Sequence, residues 1–139
     1  MLSRPGYITA YQNGKLEETI AFLKETLSGC TLCGHECGVN RLQGELGKCR
    51  SGLDPIVASY TQHFGEEPVL VGRSRGSGTI FFANCNLSCV FCQNYDISQL
   101  GYGSRISIPR LARMMLELQE RGCCNINFVT PTHMLYLIV

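Results

Sequence analysis

Cys85-Asn86-Leu87-Ser88-Cys89-Val90-Phe91-Cys92 sets three thiols at C-x3-C-x2-C spacing. Thiolates so spaced can converge on one compact inorganic centre from a single loop. Three is the informative number. A structural zinc takes four closed protein ligands, and an electron-carrying iron–sulfur cube takes four cysteines. Three thiolates on a four-iron cluster leave one iron open to a substrate atom, and an open position separates a reactive metal site from a closed one. Spacing alone leaves two alternatives: a zinc site completed by His63 or His133, or an accidental cluster of buried thiols.

A second group precedes the first. Cys30, Cys33, Cys37 and Cys49 follow C-x2-C-x3-C-x11-C. Four sulfurs so close in sequence suit a closed tetrahedral centre, either structural zinc or a second iron–sulfur cluster, with unmetalled thiols as the third alternative. His35 is a substitute ligand. Residues 30–52 are rich in Cys and Gly, lack helical or strand periodicity, and need an internal staple to hold a shape. Cys123-Cys124 read as structural, small buried thiols. The nine cysteines cannot all pair within one chain, and a reducing compartment disfavours disulfides altogether.

The elements that must position these residues are legible in part. Leu16, Ile20, Leu23 and Leu27 recur at helical spacing and predict a helix over 15–28, stopped by Gly29. Ile56 to Val71 holds short β-prone pieces broken by Gly65 and Pro68. Thr79-Ile80-Phe81-Phe82-Ala83 reads as a buried strand, and the triplet lies in the loop after it. A helix over 108–121 has Ser107 as cap, Pro109 in its first turn and Gly122 beyond its end. Leu111, Met114, Met115 and Leu118 form its core stripe, and Arg113–Glu117 and Glu117–Arg121 are spaced for pairing. Asn125-Ile126-Asn127-Phe128-Val129 is a second strand. Strand, loop, helix, strand makes a βαβ unit with a parallel sheet. His63 reads as a hydrogen-bonded structural residue, Glu66-Glu67 as a solvated pair. The loop Gly72-Arg73-Ser74-Arg75-Gly76-Ser77-Gly78 precedes a strand rather than opening a helix, so it is no phosphate cradle. Arg73 and Arg75 are assigned to a solvated turn.

Length and charge narrow the classes. At 139 residues the chain is of single-domain size. Twelve Lys+Arg against eleven Asp+Glu give a formal charge of +1, which offers no electrostatic footprint for nucleic acid or an anionic membrane. A hydrophobic fraction of 45% with 17% charged residues excludes a disordered chain. No apolar run approaches the ~18 residues that span a bilayer, and Met1-Leu2-Ser3-Arg4-Pro5-Gly6 lacks the apolar core of a secretory signal. A cytoplasmic protein is expected.

C-x3-C-x-aromatic-C in a loop after the first strand resembles the signature of radical S-adenosylmethionine (SAM) enzymes. The longer stretch from Gly76 through Cys85, Cys89 and Cys92 to Ser98 is similar to a branch related to pyruvate formate-lyase activating enzymes. Cys30-x2-Cys33-x3-Cys37-Gly38-Val39 and Asn125-Ile-Asn-Phe-Val-Thr-Pro-Thr-His133 fit that branch, so the likeness runs from about residue 30 to 133. The resemblance implies an oxidoreductase with a [4Fe–4S] cluster on Cys85, Cys89 and Cys92 and SAM on the fourth iron. It implies reductive cleavage of SAM to a 5′-deoxyadenosyl radical that abstracts hydrogen, with Phe91 near the adenine or else packed on the barrel. A protein or peptide substrate and a one-electron reductant such as flavodoxin or ferredoxin follow from the same likeness.

The implied fold is α/β: residues 1–71 a helix plus a Cys-rich, metal-stapled extension, and residues 72–139 the first βαβ unit of a partial (βα) barrel. Thr130-Pro131-Thr132-His133 stands where many radical SAM enzymes carry Gly-Gly-Glu, so backbone carbonyls or Thr132 are expected to replace that carboxylate. Only residues 93–139 follow the last triplet cysteine, whereas further βα units take ~25–30 residues each. The apolar Met134–Val139 run has no partner strand, and a C-terminally truncated chain with doubtful activity of its own is expected. Two other functional readings stand beside this one: an electron-transfer iron–sulfur module, which the missing fourth cysteine disfavours, and a zinc-stapled structural or binding module.

Overall fold

Ser107 opens the best-defined helix. Its hydroxyl accepts a hydrogen bond from the Arg110 N–H at 3.3 Å, Pro109 lies in the first turn, and α5 runs Ile108–Glu120. Leu111, Met114 and Leu118 recur at three- and four-residue spacing, and all three are buried. Gly122, at φ +91, turns the chain back toward the sheet.

The computed structural model describes residues 5–72 and 75–139. Arg73, half of the expected solvated turn, and residues 1–4 of the N-terminal run lie outside the described residues; Arg75 is exposed. The described elements are α1 (Gly6–Gln12), α2 (Lys15–Thr26), β1 (Ile56–His63), α3 (Pro68–Val71), β2 (Ser77–Phe82), α4 (Tyr95–Ser98), β3 (Ser104–Arg105), α5 and β4 (Ile126–Val129), with 3-10 turns at Leu27–Gly29, Arg41–Gln43 and Thr132–Leu137. The helix expected over 15–28 thus ends in a tighter turn, and Leu23 and Leu27 are its buried anchors.

Strand order is β3-β1-β2-β4. β2 and β4 run parallel, from Gly78↔Ile126 to Phe81↔Val129, with α5 between them in the chain. The sheet as a whole is mixed rather than parallel, because β1 pairs antiparallel with β2, from Val57↔Phe82 to His63↔Ser77. Eight residues of β1 were hidden in a sequence stretch that showed only broken β-prone pieces; after Val57 the strand alternates partly buried with exposed residues. The sheet draws strands from both sides of residue 71, and Leu27, Val57, Ile80, Leu111 and Leu118 share one core. Phe82 and Phe128 stack across the parallel pair at 5.7 Å.

Two further expectations are corrected. Met134–Val139 is not an uncovered apolar edge: Thr132–Leu137 forms a 3-10 helix with Met134, Tyr136 and Leu137 buried in the core. The expected Glu117–Arg121 pair is absent. The Glu117 carboxylate instead accepts from Arg110 Nη1 at 2.6 Å and from the Tyr60 hydroxyl at 2.8 Å, while Arg113 stays within 3.8 Å and Arg121 lies over the Tyr60 ring. Hydrogen bonds from Arg110 and Tyr60 hold Glu117 below the usual carboxylate range.

Candidate metal centre and its surroundings

The triplet loop leaves the carboxyl end of β2. Cys85, Cys89 and Cys92 are free and partly buried, and all three line one cavity of about 80 Å³. Phe81 and Phe82 from the end of β2, Val129 at the end of β4 with Thr130 just beyond it, and Ile97 and Ser98 of α4 line it as well. Open α/β sheets bind ligands outside the carboxyl ends of parallel strands, which is where this cavity lies.

Backbone and side-chain contacts hold the loop around the thiols. The Leu87 N–H points to Cys85 Sγ at 3.3 Å, and Cys92 Sγ lies 3.2 Å from the Ser98 hydroxyl. Gln99 Nε2 donates to the Cys89 carbonyl at 2.8 Å, and Arg50 donates to the Gln99 carbonyl. Asn84, buried, donates through Nδ2 to the Arg50 carbonyl at 3.3 Å. Among described non-glycine residues five adopt positive φ: Asn84, Ser88 and Thr130 around this cavity, and Glu36 and Arg50 in the Cys-rich segment. Such conformations cost of order 1–3 kcal/mol each and concentrate where function over-determines the backbone.

The donor set fits three-thiolate ligation. No fourth cysteine and no histidine lines the cavity among the described residues. As the side chains stand, no three His, Cys, Asp or Glu groups among the described residues close on one ion. His63 and His133, the zinc-completing alternatives, lie elsewhere. His63 is not a hydrogen-bonded structural residue: its side chain is half exposed, 3.9 Å from Glu66. That contact leaves Glu66 partly covered and Glu67 solvated. Phe91 is 84% exposed and packs on no barrel wall. Thr132 is exposed, whereas Thr130 reaches the cavity. Cys123 packs against the core, but Cys124 is exposed and donates to the Leu70 carbonyl at 2.9 Å, so the pair is not uniformly buried.

The second group also converges. Cys30, Cys33, Cys37 and Cys49 line one void together with Leu32, Val39, Arg41, Gly47 and His133. His35 is turned out of it, its Nε2 lying 2.6 Å from the Asn86 carbonyl. Arg41, 1% exposed, donates to the carbonyls of His133 (2.9 Å) and Gly52 (2.5 Å) and to the Tyr136 hydroxyl (3.1 Å). Burial pulls the His133 imidazole down to about 4, Arg41 adding to the effect, and the nearby backbone of Ala83 and Thr130 offsets only part of it. Neither ring nitrogen has a hydrogen-bond partner of good geometry. Burial likewise raises Tyr136 to about 12. Arg41 carries no mark in the sequence that separates it from a surface arginine, and its role emerges only when residues 41 and 133–136 meet.

The chain is 38% identical over 132 residues to an uncharacterized protein of Methanocaldococcus jannaschii, a match covering 88% of this chain and 37% of that protein. The chain therefore spans well under half the length of the curated relative it matches. No protein-family model matches the chain, and no solved structure matches it. No helix among the described residues is long and apolar enough to cross a membrane.

Proposed function

We propose that this chain is part of a cytoplasmic radical SAM oxidoreductase of the pyruvate formate-lyase activating type. One observation carries the reading: the three thiols of the C-x3-C-x2-C loop line a single cavity at the carboxyl ends of β2 and β4, with no fourth thiol beside them among the described residues. On this reading Cys85, Cys89 and Cys92 hold a [4Fe–4S] cluster. Held by these three thiols, such a cluster would supply one-electron reductive cleavage of SAM.

The chain's own residues ligate, orient and shield. The Leu87 N–H and the Ser98 hydroxyl stabilise thiolate charge at Cys85 and Cys92. Phe81, Phe82, Ile97 and Val129 give the cavity apolar walls that keep water away from the reacting bond. Thr130 offers a hydroxyl and a carbonyl for the SAM amino group in place of the missing carboxylate, and the exposed Phe91 ring is free to stack on adenine. β4 pairs on one side only among the described residues, so further βα units of a longer protein would extend the sheet there. A flavodoxin or ferredoxin supplies the electron, and a protein or peptide supplies the hydrogen.

Anaerobic reconstitution tests the ligand set. The wild-type chain and Cys123→Ala should take up one four-iron cluster, and Cys89→Ala should not. Zinc at the triplet in place of iron would overturn the proposal.

A further inference from the structure

We propose that Cys30, Cys33, Cys37 and Cys49 bind a single zinc ion as a closed tetrathiolate, and that the buried guanidinium of Arg41 is its counter-charge. The void these four cysteines line is about 10 Å³, against about 80 Å³ for the cavity of the Cys85 triplet. The smaller space suits a lone ion better than a four-iron cube. Zinc among divalent ions takes four thiolates in a tetrahedron without further demand on geometry.

The backbone is folded for such a site. The Cys30 N–H donates to the Val39 carbonyl at 2.9 Å and the Gly38 N–H returns to the Cys30 carbonyl at 3.0 Å, closing the loop that carries Cys33 and Cys37. The Lys48 N–H points to Cys37 Sγ at 3.4 Å, a contact that stabilises a thiolate. Gly47 lets the chain pass, since a Cβ there would stand 2.8 Å from Cys37 Sγ. His35, the alternative ligand, is committed to the Asn86 carbonyl. Four sulfurs complete a tetrahedron, which leaves the His133 imidazole, lining the same void with neither ring nitrogen hydrogen-bonded, outside the ligand set. Rotation about the Cα–Cβ bonds, the single soft torsion of each cysteine, is the motion that brings the sulfurs onto the ion.

Charge supplies the independent argument. Arg41 lines the same void, yet among the described residues it has no carboxylate partner and its Nε has no hydrogen-bond partner; the Tyr136 ring, 4.9 Å from Cζ, is a neutral face rather than a counter-ion. All its acceptors are neutral. A buried cation without a counter-ion is costly. Four thiolates around a divalent ion carry a net double negative charge, which meets that cation across the void wall. The ion then ties the Cys-rich segment, through Arg41, to the 3-10 helix at Thr132–Leu137.

The test uses the full chain with Cys85, Cys89 and Cys92 all changed to Ser, so that failure of the triplet proposal cannot decide this one. Purified chain should contain one zinc, exchangeable for Co(II) with the intense visible bands of a tetrahedral tetrathiolate. Cys37→Ser in that background, at an exposed ligand position, should shift the cobalt bands to those of a three-sulfur set. Arg41→Met should weaken zinc by roughly tenfold or more in chelator competition, with Arg41→Lys restoring part of the loss and circular dichroism unchanged. Iron with inorganic sulfide in this background, or four freely alkylated thiols and no metal, would overturn the site. Unaltered zinc affinity in Arg41→Met would overturn the counter-charge.

Discussion

His35 Nε2 lies 2.6 Å from the carbonyl oxygen of Asn86, so a side chain between Cys33 and Cys37 bonds to the backbone between Cys85 and Cys89. A carbonyl only accepts, which fixes the Nε2–H tautomer or the imidazolium. The two cysteine loops, joined by a contact that spans 51 positions, are thereby held against each other. His35→Ala is expected to cost about 1 kcal/mol of stability and to raise amide hydrogen exchange across residues 85–92. Exchange unchanged in that loop would show that the contact positions nothing.

Gly78 sits where β2, β4 and α5 meet. A Cβ there would stand 2.9 Å from Ile126 Cδ1, 3.0 Å from the Asn125 carbonyl and 3.1 Å from Leu118 Cβ. Two of these neighbours are anchored near the backbone and cannot rotate away. Gly78→Ala should lower the unfolding free energy by about 1–3 kcal/mol in urea titration.

The Arg110–Glu117–Tyr60 cluster predicts a pH signature. The folded-state pKa of Glu117 is depressed, first by its hydrogen bond from Arg110 and then by that from Tyr60. Its contribution is therefore present above the unfolded value of about 4.3 and lost as pH falls through the lower folded value. The melting temperature of Glu117→Gln should lie below wild type at pH 7, and the gap should close under acid. A gap independent of pH would assign the effect to packing.

How far the sequence alone reached follows the range of each interaction. α5 was legible because its cap at Ser107, its Pro109 and its Leu111–Met114–Leu118 stripe are local signals. α1, which buries no residue and has no side-chain cap, left no periodic trace. The last six residues looked like an unpaired strand because they are apolar, but Met134, Tyr136 and Leu137 are buried in the core and Arg41, whose bond to the His133 carbonyl spans 92 positions, ties them to the Cys-rich segment. The triplet was visible as spacing. Its cavity partners were not, since Ser98 and Thr130 arrive from α4 and from the end of β4.

The central claim is that three thiolates hold a cluster with one iron free for SAM. Electron paramagnetic resonance of the anaerobically reconstituted, reduced chain, recorded before and after adding SAM, tests it most directly. The account predicts a reduced-cluster signal whose shape changes with SAM and which Cys89→Ala abolishes. A cluster signal indifferent to SAM would contradict it and identify an electron-transfer module instead.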